Sequence, residues 1–155
     1  MNTNHSQSAC ELFANGCNCS QAVFAAFCDV TGMNRKTALK LSSSFGGGMG
    51  RMREVCGACS GMFMAAGLLY GYASNDDDKE KAAHYKRIQL LAEEFKAVHG
   101  TIICRELLKN LSVTSTPEPD KRTEEYYKVR PCVKFVKTAA EILDKYIAEN
   151  PPKSE

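Results

Sequence analysis

The segment from Cys56 to Ser74, CGACSGMFMAAGLLYGYAS, constrains the fold more than any other part of the chain. It is apolar on nearly every face, and a helix of that kind must be surrounded by other elements rather than lie on a surface. Gly61, Gly67 and Gly71 lower its helix propensity but would let a neighbouring backbone approach closely. The segment therefore predicts a central helix in a bundle.

Helical signals fill most of the remaining sequence. Asn18 suits an N-cap, and Gly32 suits a helix stop. The predicted helices cover residues 6–15, 18–32, 34–45, 56–74, 82–99, 101–111 and 131–149. Because no segment alternates polar and apolar residues as a strand would, we predict an all-α fold, with one domain over residues 1–155 built as a bundle of about six to seven helices. Residues 112–125 are expected to form a polar loop, and the tail 150–155 is expected to be disordered.

The charge balance argues against two classes of partner. With 20 basic and 18 acidic residues among 155, the net charge of +2 gives no large field for steering nucleic acid or an anionic membrane. The most apolar stretch, residues 61–73, is too short and too rich in glycine to span a bilayer, and the N-terminus has no basic or apolar signal region. We therefore expect a cytoplasmic protein that neither binds nucleic acid nor inserts into a membrane.

Cysteine is used heavily, at eight positions. In a reducing compartment, and in a chain long enough to bury a core unaided, these residues favour metal binding or redox chemistry over structural disulfides. Cys19, Cys56, Cys104 and Cys132 fall at predicted helix N-termini. A helix start stabilises a thiolate, the nucleophilic and metal-binding form, through its unpaired N–H groups and partial positive charge. If the four starts converge, they make either a four-thiolate metal site or two exchangeable dithiols.

The other four cysteines are less clearly placed. Cys10 and Cys28 lie inside predicted helices among Ala, Leu and Phe, which favours core thiols. Cys17 stands in a C-x-C motif and Cys59 in a C-x-x-C motif, so each could be a resolving thiol, an alternative ligand or a packing residue. For these two, the sequence gives the chemical and the packing roles equal weight.

Several motifs occur together over most of the chain. They are NGCNCSQAV from Asn15, FGGGMG from Phe45, CGACSG from Cys56, and single cysteines at Cys104 and, within RPC, at Cys132. In this combination the chain resembles the family named for the pattern C_GCAxxG_C_C, whose members are small helical proteins described as redox-active. The resemblance assigns the family's four cysteines to Cys19, Cys56, Cys104 and Cys132 and leaves Cys59 at a variable position. A related domain in split-Soret cytochromes implies an iron-sulfur cluster as the cofactor.

An iron-sulfur cluster is the cofactor that this resemblance favours. A [2Fe-2S] or [4Fe-4S] cluster needs four cysteine thiolates and benefits from N–H donors near its sulfurs. We expect cofactor-binding backbone donors at glycine-rich positions: Gly46, Gly47, Gly48 and Gly57. The loop lacks the G-K-[ST] ending of a phosphate-binding loop, so nucleotide binding is not indicated. On this interpretation the protein transfers electrons or senses redox state.

Two alternatives stay open. Thiol–disulfide exchange without metal would use Cys56 and Cys59 as the catalytic pair, with Arg51 and Arg53 favouring the thiolate, although arginines in such a loop are more typical of solvated charges. The other alternative is a non-enzymatic site for Zn²⁺ or Cu(I), because thiolates and nearby methionines suit soft metals.

The sequence says less about binding partners than about the chemistry of the cysteines. The electron donor or acceptor is unknown, and the sequence does not decide between an oxidoreductase and an electron-transfer protein. A homodimer is compatible with the apolar central helix without being predicted. The three histidines favour ordinary surface positions, and His99 is a minor ligand candidate because it lies near Cys104 in the sequence.

Overall fold

The structure, a computed structural model, describes residues 4–153. Within this range the chain forms helices and no strand, and Val55 and Ile103 make an isolated antiparallel bridge. The helices are α1 (His5–Ala14), α2 (Cys19–Ala26), α3 (Cys28–Thr31), α4 (Arg35–Ser43), α5 (Gly57–Tyr70), α6 (Asp78–His99), α7 (Cys104–Leu107), α8 (Glu124–Val129) and α9 (Cys132–Glu149). The predicted all-α bundle is confirmed.

Helix α5 is the centre of the bundle, as its composition predicts. Eight of its 14 residues are buried, and it contacts α2, α3, α6 and α9. A Cβ at Gly61 would lie 2.7 Å from the carbonyl oxygen of Ser20, so glycine lets α2 approach closely at this point. Nothing lies within 4 Å of a Cβ at Gly67. The expected close approach therefore holds for Gly61 and is wrong for Gly67.

The helices around α5 enclose a core of aromatic and aliphatic side chains. Helices α2 and α9 pack on α5 and on each other, α1 packs on both, and α6 packs on α5 and α9. The largest fully buried apolar side chains are Phe13, Phe24, Phe27, Phe95, Met62, Leu91 and Leu143. Burying one such side chain contributes about 1.5–3 kcal/mol. The fold is accordingly held by this core, and all eight cysteines are free thiols.

Two helix boundaries differ from the prediction in ways that local hydrogen bonds explain. The segment predicted as one helix over 18–32 divides into α2 and α3, because the N–H of Phe27 donates to Phe24 in a tighter turn. Helix α6 begins at Asp78 rather than at residue 82, since the side chain of Asp77 accepts from the N–H groups of Lys79 and Glu80.

The region between α6 and α9 also differs. The helix predicted over 101–111 is the short α7, and α8 lies at the end of the loop predicted over 112–125, where Thr123 caps it. No helix in residues 4–153 is both long and apolar enough to cross a bilayer. Of the tail 150–155, residues 154–155 lie outside the described range, and the expectation of disorder stays untested.

The surface position expected for His5 is wrong. The residue is 5% exposed, and its ring stacks on Phe27 with the centroids 4.2 Å apart. Its Nδ1 lies 2.5 Å from Oδ1 of Asp144, and its Nε2 lies 2.9 Å from Oδ1 of Asp29. His5 thus links α1 to α3 and α9 from the interior.

Candidate thiol site

The four cysteines predicted at helix starts come together in the structure. Cys19, Cys104 and Cys132 are the first residues of α2, α7 and α9, and Cys56 is the N-cap of α5. All four line one cavity of about 310 Å³, here called the thiol cavity. Cys56, Cys104 and Cys132 are buried, whereas Cys19 is partly exposed. What these thiols bind remains a prediction.

Local hydrogen bonding explains why three of these helix starts lie where they do. In the capping box of α2, the side chain of Asn18 accepts from the N–H of Gln21, and the N–H of Asn18 donates to the side chain of Gln21. The N–H of Cys56 donates to Ile102 at 2.7 Å, and the N–H of Cys104 donates to Glu54 at 2.6 Å. These two backbone bonds flank the bridge between Val55 and Ile103 and hold Cys56 beside Cys104.

The glycine-rich loop forms one wall of the thiol cavity. Its backbone takes positive φ at six positions: Gly47, Gly48, Met49, Gly50, Arg51 and Arg53. At Gly48 a side chain is excluded as well, because its Cβ would lie 2.6 Å from the Cβ of Cys104. The candidate positions Gly46, Gly47, Gly48 and Gly57 all line the cavity. The structure thus places these four glycines beside the cysteines.

Two cavity thiols, Cys19 and Cys132, shift each other's pKa in opposite directions. A hydrogen bond between Cys19 and Cys132 lowers the pKa of Cys132 to about 7; burial opposes this shift, and the charge of Arg130 adds to it. The same hydrogen bond raises the pKa of Cys19, as does its burial. This pair therefore favours a thiolate on Cys132 and a neutral thiol on Cys19.

In the C-x-x-C motif, Cys56 and Cys59 likewise shift each other's pKa. A hydrogen bond from Cys59 lowers the pKa of Cys56 against the effect of burial, and the N–H groups of Cys59 and Ala58 add to the shift. Burial raises the pKa of Cys59, which is fully buried and does not line the cavity. For Cys104, burial raises the pKa and the hydrogen bond from Arg53 opposes the rise.

Four arginines also line the thiol cavity: Arg51, Arg53, Arg122 and Arg130. The view of the loop arginines as solvated charges is wrong for Arg53, which is 6% exposed and lies 3.8 Å from Sγ of Cys104 through Nη1. Among the residues that line the cavity, the one carboxylate is that of Asp120. It accepts from Arg51 at 3.0 Å and from Arg130 at 2.8 Å.

Residues 112–123 cover part of this site, although the sequence predicts only a polar loop there. Arg51 donates through Nε to the carbonyl of Thr116 at 2.7 Å, and Arg53 donates through Nε to the carbonyl of Thr114 at 2.9 Å. Pro117 and Pro119 are among the lining residues. These contacts join residues more than 60 positions apart, so no local sequence pattern indicates them.

Cys10, Cys17 and Cys28, here called the outer thiols, do not line the thiol cavity. Each is partly exposed, which makes Cys10 and Cys28 less buried than the core thiols expected from the sequence. Burial is the main cause that raises the pKa of each. His99 likewise does not line the cavity; it hydrogen-bonds Thr138 instead.

Residues 4–153 contain no group of three or more His, Cys, Asp or Glu side chains that could hold a metal ion. The four cavity thiols line one cavity without forming such a group.

Residues 17–146 match the model of a known protein family described as "Putative redox-active protein (C_GCAxxG_C_C)". The chain belongs to this family. The match includes all four cavity cysteines, and it confirms the resemblance inferred from the motifs. No curated protein matches the chain, and no solved structure does. The protein is thus a cysteine-rich, all-α member of a family described as redox-active, while the relation to split-Soret cytochromes stays a prediction.

Proposed function

We propose that the thiol cavity holds an iron-sulfur cluster on Cys19, Cys56, Cys104 and Cys132, and that the protein transfers electrons or senses redox state through it. The observation that carries this proposal is the meeting of four thiols, from four separate helix starts, at one cavity. Four cysteine thiolates are the ligand set that [2Fe-2S] and [4Fe-4S] clusters use.

The size of the cavity favours a cluster over one ion. A zinc site needs its ligands around a single point at about 2.0–2.3 Å. No group of three or more described side chains could hold a metal ion, so the thiols would have to draw together to bind zinc or a cluster. A cluster has a core of several atoms, so its four thiolates are spread over a larger volume. The cavity of about 310 Å³ suits a ligand of that kind better than Zn²⁺ or Cu(I).

The charges and hydrogen-bond donors of the cavity also suit a negatively charged cluster. A cluster with four thiolate ligands carries a net negative charge, and four guanidinium groups face one carboxylate here. The N–H groups of Gly46, Gly47 and Gly48 donate to no acceptor among residues 4–153, which leaves them free for cluster sulfurs. When bound, such a cluster supplies one-electron chemistry. The chain's own residues would hold it, balance its charge and limit its contact with water.

Thiol–disulfide exchange is the second candidate, and the opposite pKa shifts of Cys56 and Cys59 favour it. Cys56 has the lowered pKa of an attacking thiol, and the buried Cys59, three residues along the chain, would resolve a mixed disulfide. With oxidised glutathione, the thiolate of Cys56 would attack one sulfur and release one glutathione thiolate. Cys59 would then lose its proton, attack the sulfur of Cys56 and release the second glutathione. Two protein thiols are oxidised as one glutathione disulfide is reduced.

One set of samples separates the candidates: the wild type, Cys56→Ser and Cys59→Ala, each purified without oxygen. The measurements are the visible absorption spectrum, iron and acid-labile sulfide. The cluster proposal expects iron and sulfide in the wild type and in Cys59→Ala, and their loss in Cys56→Ser.

A wild type without iron or sulfide after anaerobic reconstitution would overturn the cluster proposal. Formation of a Cys56–Cys59 disulfide by that sample with oxidised glutathione, seen by peptide mass spectrometry, would support exchange. Failure to form it, with Cys59→Ala as the control, would remove the second candidate as well.

A further inference from the structure

The Arg53 side chain has a buried hydrogen-bond donor that the protein does not use. Its side chain is 93% buried, because only 7% of it is exposed. Nε donates to the carbonyl of Thr114 at 2.9 Å, and Nη1 lies 3.8 Å from Sγ of Cys104. Nη2 is buried and has no hydrogen-bond partner among the described residues. An unused charged donor in a protein interior is costly and calls for an acceptor.

The carboxylate nearest to this group does not satisfy it. Oδ2 of Asp120 lies 3.9 Å from Nη2 of Arg53, which is too far for a hydrogen bond. The same oxygen already accepts from Arg51 and Arg130. Three guanidinium groups therefore share one carboxylate. A negatively charged ligand in the thiol cavity would balance the positive charge that Asp120 leaves unpaired.

The fourth arginine of the cavity does not relieve the imbalance. Arg122 donates to the carbonyls of Phe13 and Cys17, at 3.2 and 3.0 Å, and its guanidinium lies over the rings of Phe13 and Tyr126. It forms no ion pair within residues 4–153. Its positive charge thus adds to the excess at the cavity.

The backbone also holds Arg53 in place at a cost. Its φ of 60° lies in the left-handed region, which is strained for a residue other than glycine. The N–H of Arg53 donates to Gly47, and its carbonyl accepts from Arg105 at 3.1 Å, so both sides of the residue are fixed. The conformation directs a rigid donor toward Cys104 rather than toward solvent.

We infer that Arg53 is the electrostatic partner of an anionic ligand in the thiol cavity, bonding it through the free Nη2 and setting how readily it accepts an electron. The inference rests on the proposed function, with the iron-sulfur cluster as the anion. Because an electron adds negative charge, a buried guanidinium stabilises the reduced form more than the oxidised form. Arg53 therefore raises the reduction potential and tightens cluster retention.

The test compares Arg53→Gln, Arg53→Lys and Arg105→Gln after anaerobic reconstitution. Arg105 is a matched control, since it follows Cys104 directly but is half exposed and pairs with Glu54 on the surface. We expect Arg53→Gln to lower the midpoint potential, Arg53→Lys to lower it less, and Arg105→Gln to leave it close to that of the wild type. Potentiometric titration of the cluster spectrum measures this.

A second readout separates this role from a structural one. Binding to the folded state raises the unfolding temperature, so the gain on reconstitution reports the affinity for the ligand. We expect that gain to shrink in Arg53→Gln and to persist in Arg105→Gln. A purely structural Arg53 would instead lower the unfolding temperature equally with and without the ligand.

The outcomes distinguish this inference from the proposal beneath it. A wild type that binds no iron or sulfide overturns both. A cluster in the wild type, with the same potential and the same thermal gain in Arg53→Gln as in Arg105→Gln, overturns the role of Arg53 alone. If Arg53→Gln does not fold, Arg53→Lys decides, because an unchanged potential and thermal gain there would contradict the bonding role of Nη2.

Discussion

The thiols of the thiol cavity and the outer thiols differ in chemistry, although each set has a cysteine at a helix start. Cys28 is the first residue of α3, just as Cys132 is the first residue of α9. Burial raises the pKa of Cys28, whereas a thiol neighbour and Arg130 lower that of Cys132 to about 7. A helix start is therefore not enough to activate a thiol. The neighbours that the fold supplies decide the outcome.

The largest expected contrast is in iron and sulfide content, between a variant that lacks a cavity thiol and one that lacks an outer thiol. Cys132→Ser removes one of the four proposed ligands, so we expect iron and sulfide content to fall at least about tenfold after reconstitution. Cys28→Ser should retain the wild-type content, because the outer thiol lies away from the cavity. Metal and sulfide analysis on samples with equal circular dichroism checks this. Equal losses in both variants would contradict the distinction.

The second largest expected contrast is in the alkylation rates of Cys132 and Cys28, measured on protein without bound metal. With a pKa of about 7, Cys132 is about 90% thiolate at pH 8 and about 10% at pH 6, so its alkylation should slow as the pH falls. The raised pKa of Cys28 leaves little thiolate at pH 7. We expect Cys132 to react about five- to tenfold faster at that pH, despite its burial.

Pulsed iodoacetamide labelling with peptide mass spectrometry gives the rate at each cysteine. Cys19→Ala serves as the control, since it removes the hydrogen bond that lowers the pKa of Cys132 and should slow the reaction at pH 7. A Cys132 rate that does not exceed that of Cys28 would show that burial outweighs ionisation in the cavity.

The third contrast is in folding stability, between alanine substitutions at two glycines with positive φ, one at the cavity and one away from it. Gly48→Ala introduces strain at φ 72° and a Cβ only 2.6 Å from that of Cys104, so we expect a loss of about 3–4 kcal/mol. Gly16→Ala, at φ 106°, meets no atom within 4 Å and should lose about 1–2 kcal/mol from strain alone. Urea unfolding measures both. Equal losses of unfolding free energy would mean that the cavity wall shifts to accommodate the added methyl group at little cost.

The smallest expected contrast is in folding stability, between the loss of an ion pair at the cavity and the loss of one on the surface. Asp120→Asn weakens the contacts with Arg51 and Arg130, and we expect about 1–2 kcal/mol of destabilisation because Asp120 is still 37% exposed. Glu54→Gln breaks the surface pair with Arg105 and should cost about 0.5 kcal/mol. Chemical denaturation at neutral pH gives both values, and a larger loss in Glu54→Gln would contradict this ranking.

The Asp120 contribution also has a defined pH dependence. Burial alone would raise the pKa of Asp120, but the hydrogen bond from Arg51 and the charge of Arg130 bring it below the usual value. A carboxyl group with a lowered pKa stabilises the fold above its unfolded pKa and loses that effect as pH falls through the folded pKa. The difference between wild type and Asp120→Asn should therefore disappear in acid. A difference that grows in acid would contradict the sign of the pKa shift.

The sequence predicts the helical class and the cysteine convergence better than it predicts the surroundings of the site. Hydrophobic spacing and caps such as Asn18 are local signals, and they place the helix starts to within a few residues. The burial of Arg53 and the role of Asp120 depend on contacts across 51 to 69 positions of the chain. Polar loop residues such as Asp120 have no periodic pattern, so their place at the cavity emerges only once the helices have packed.

The order in which the cavity residues are synthesised has a consequence for the assembly of the protein. Cys19 and Cys132 are 113 positions apart, and Cys132 is synthesised last of the four cavity cysteines. A nascent chain that ends before α9 can present at most three of them. The four proposed ligands are together only after α9 has docked. Insertion of the proposed cluster on all four cysteines would therefore follow translation of that helix, and a loaded cluster would mark a complete bundle.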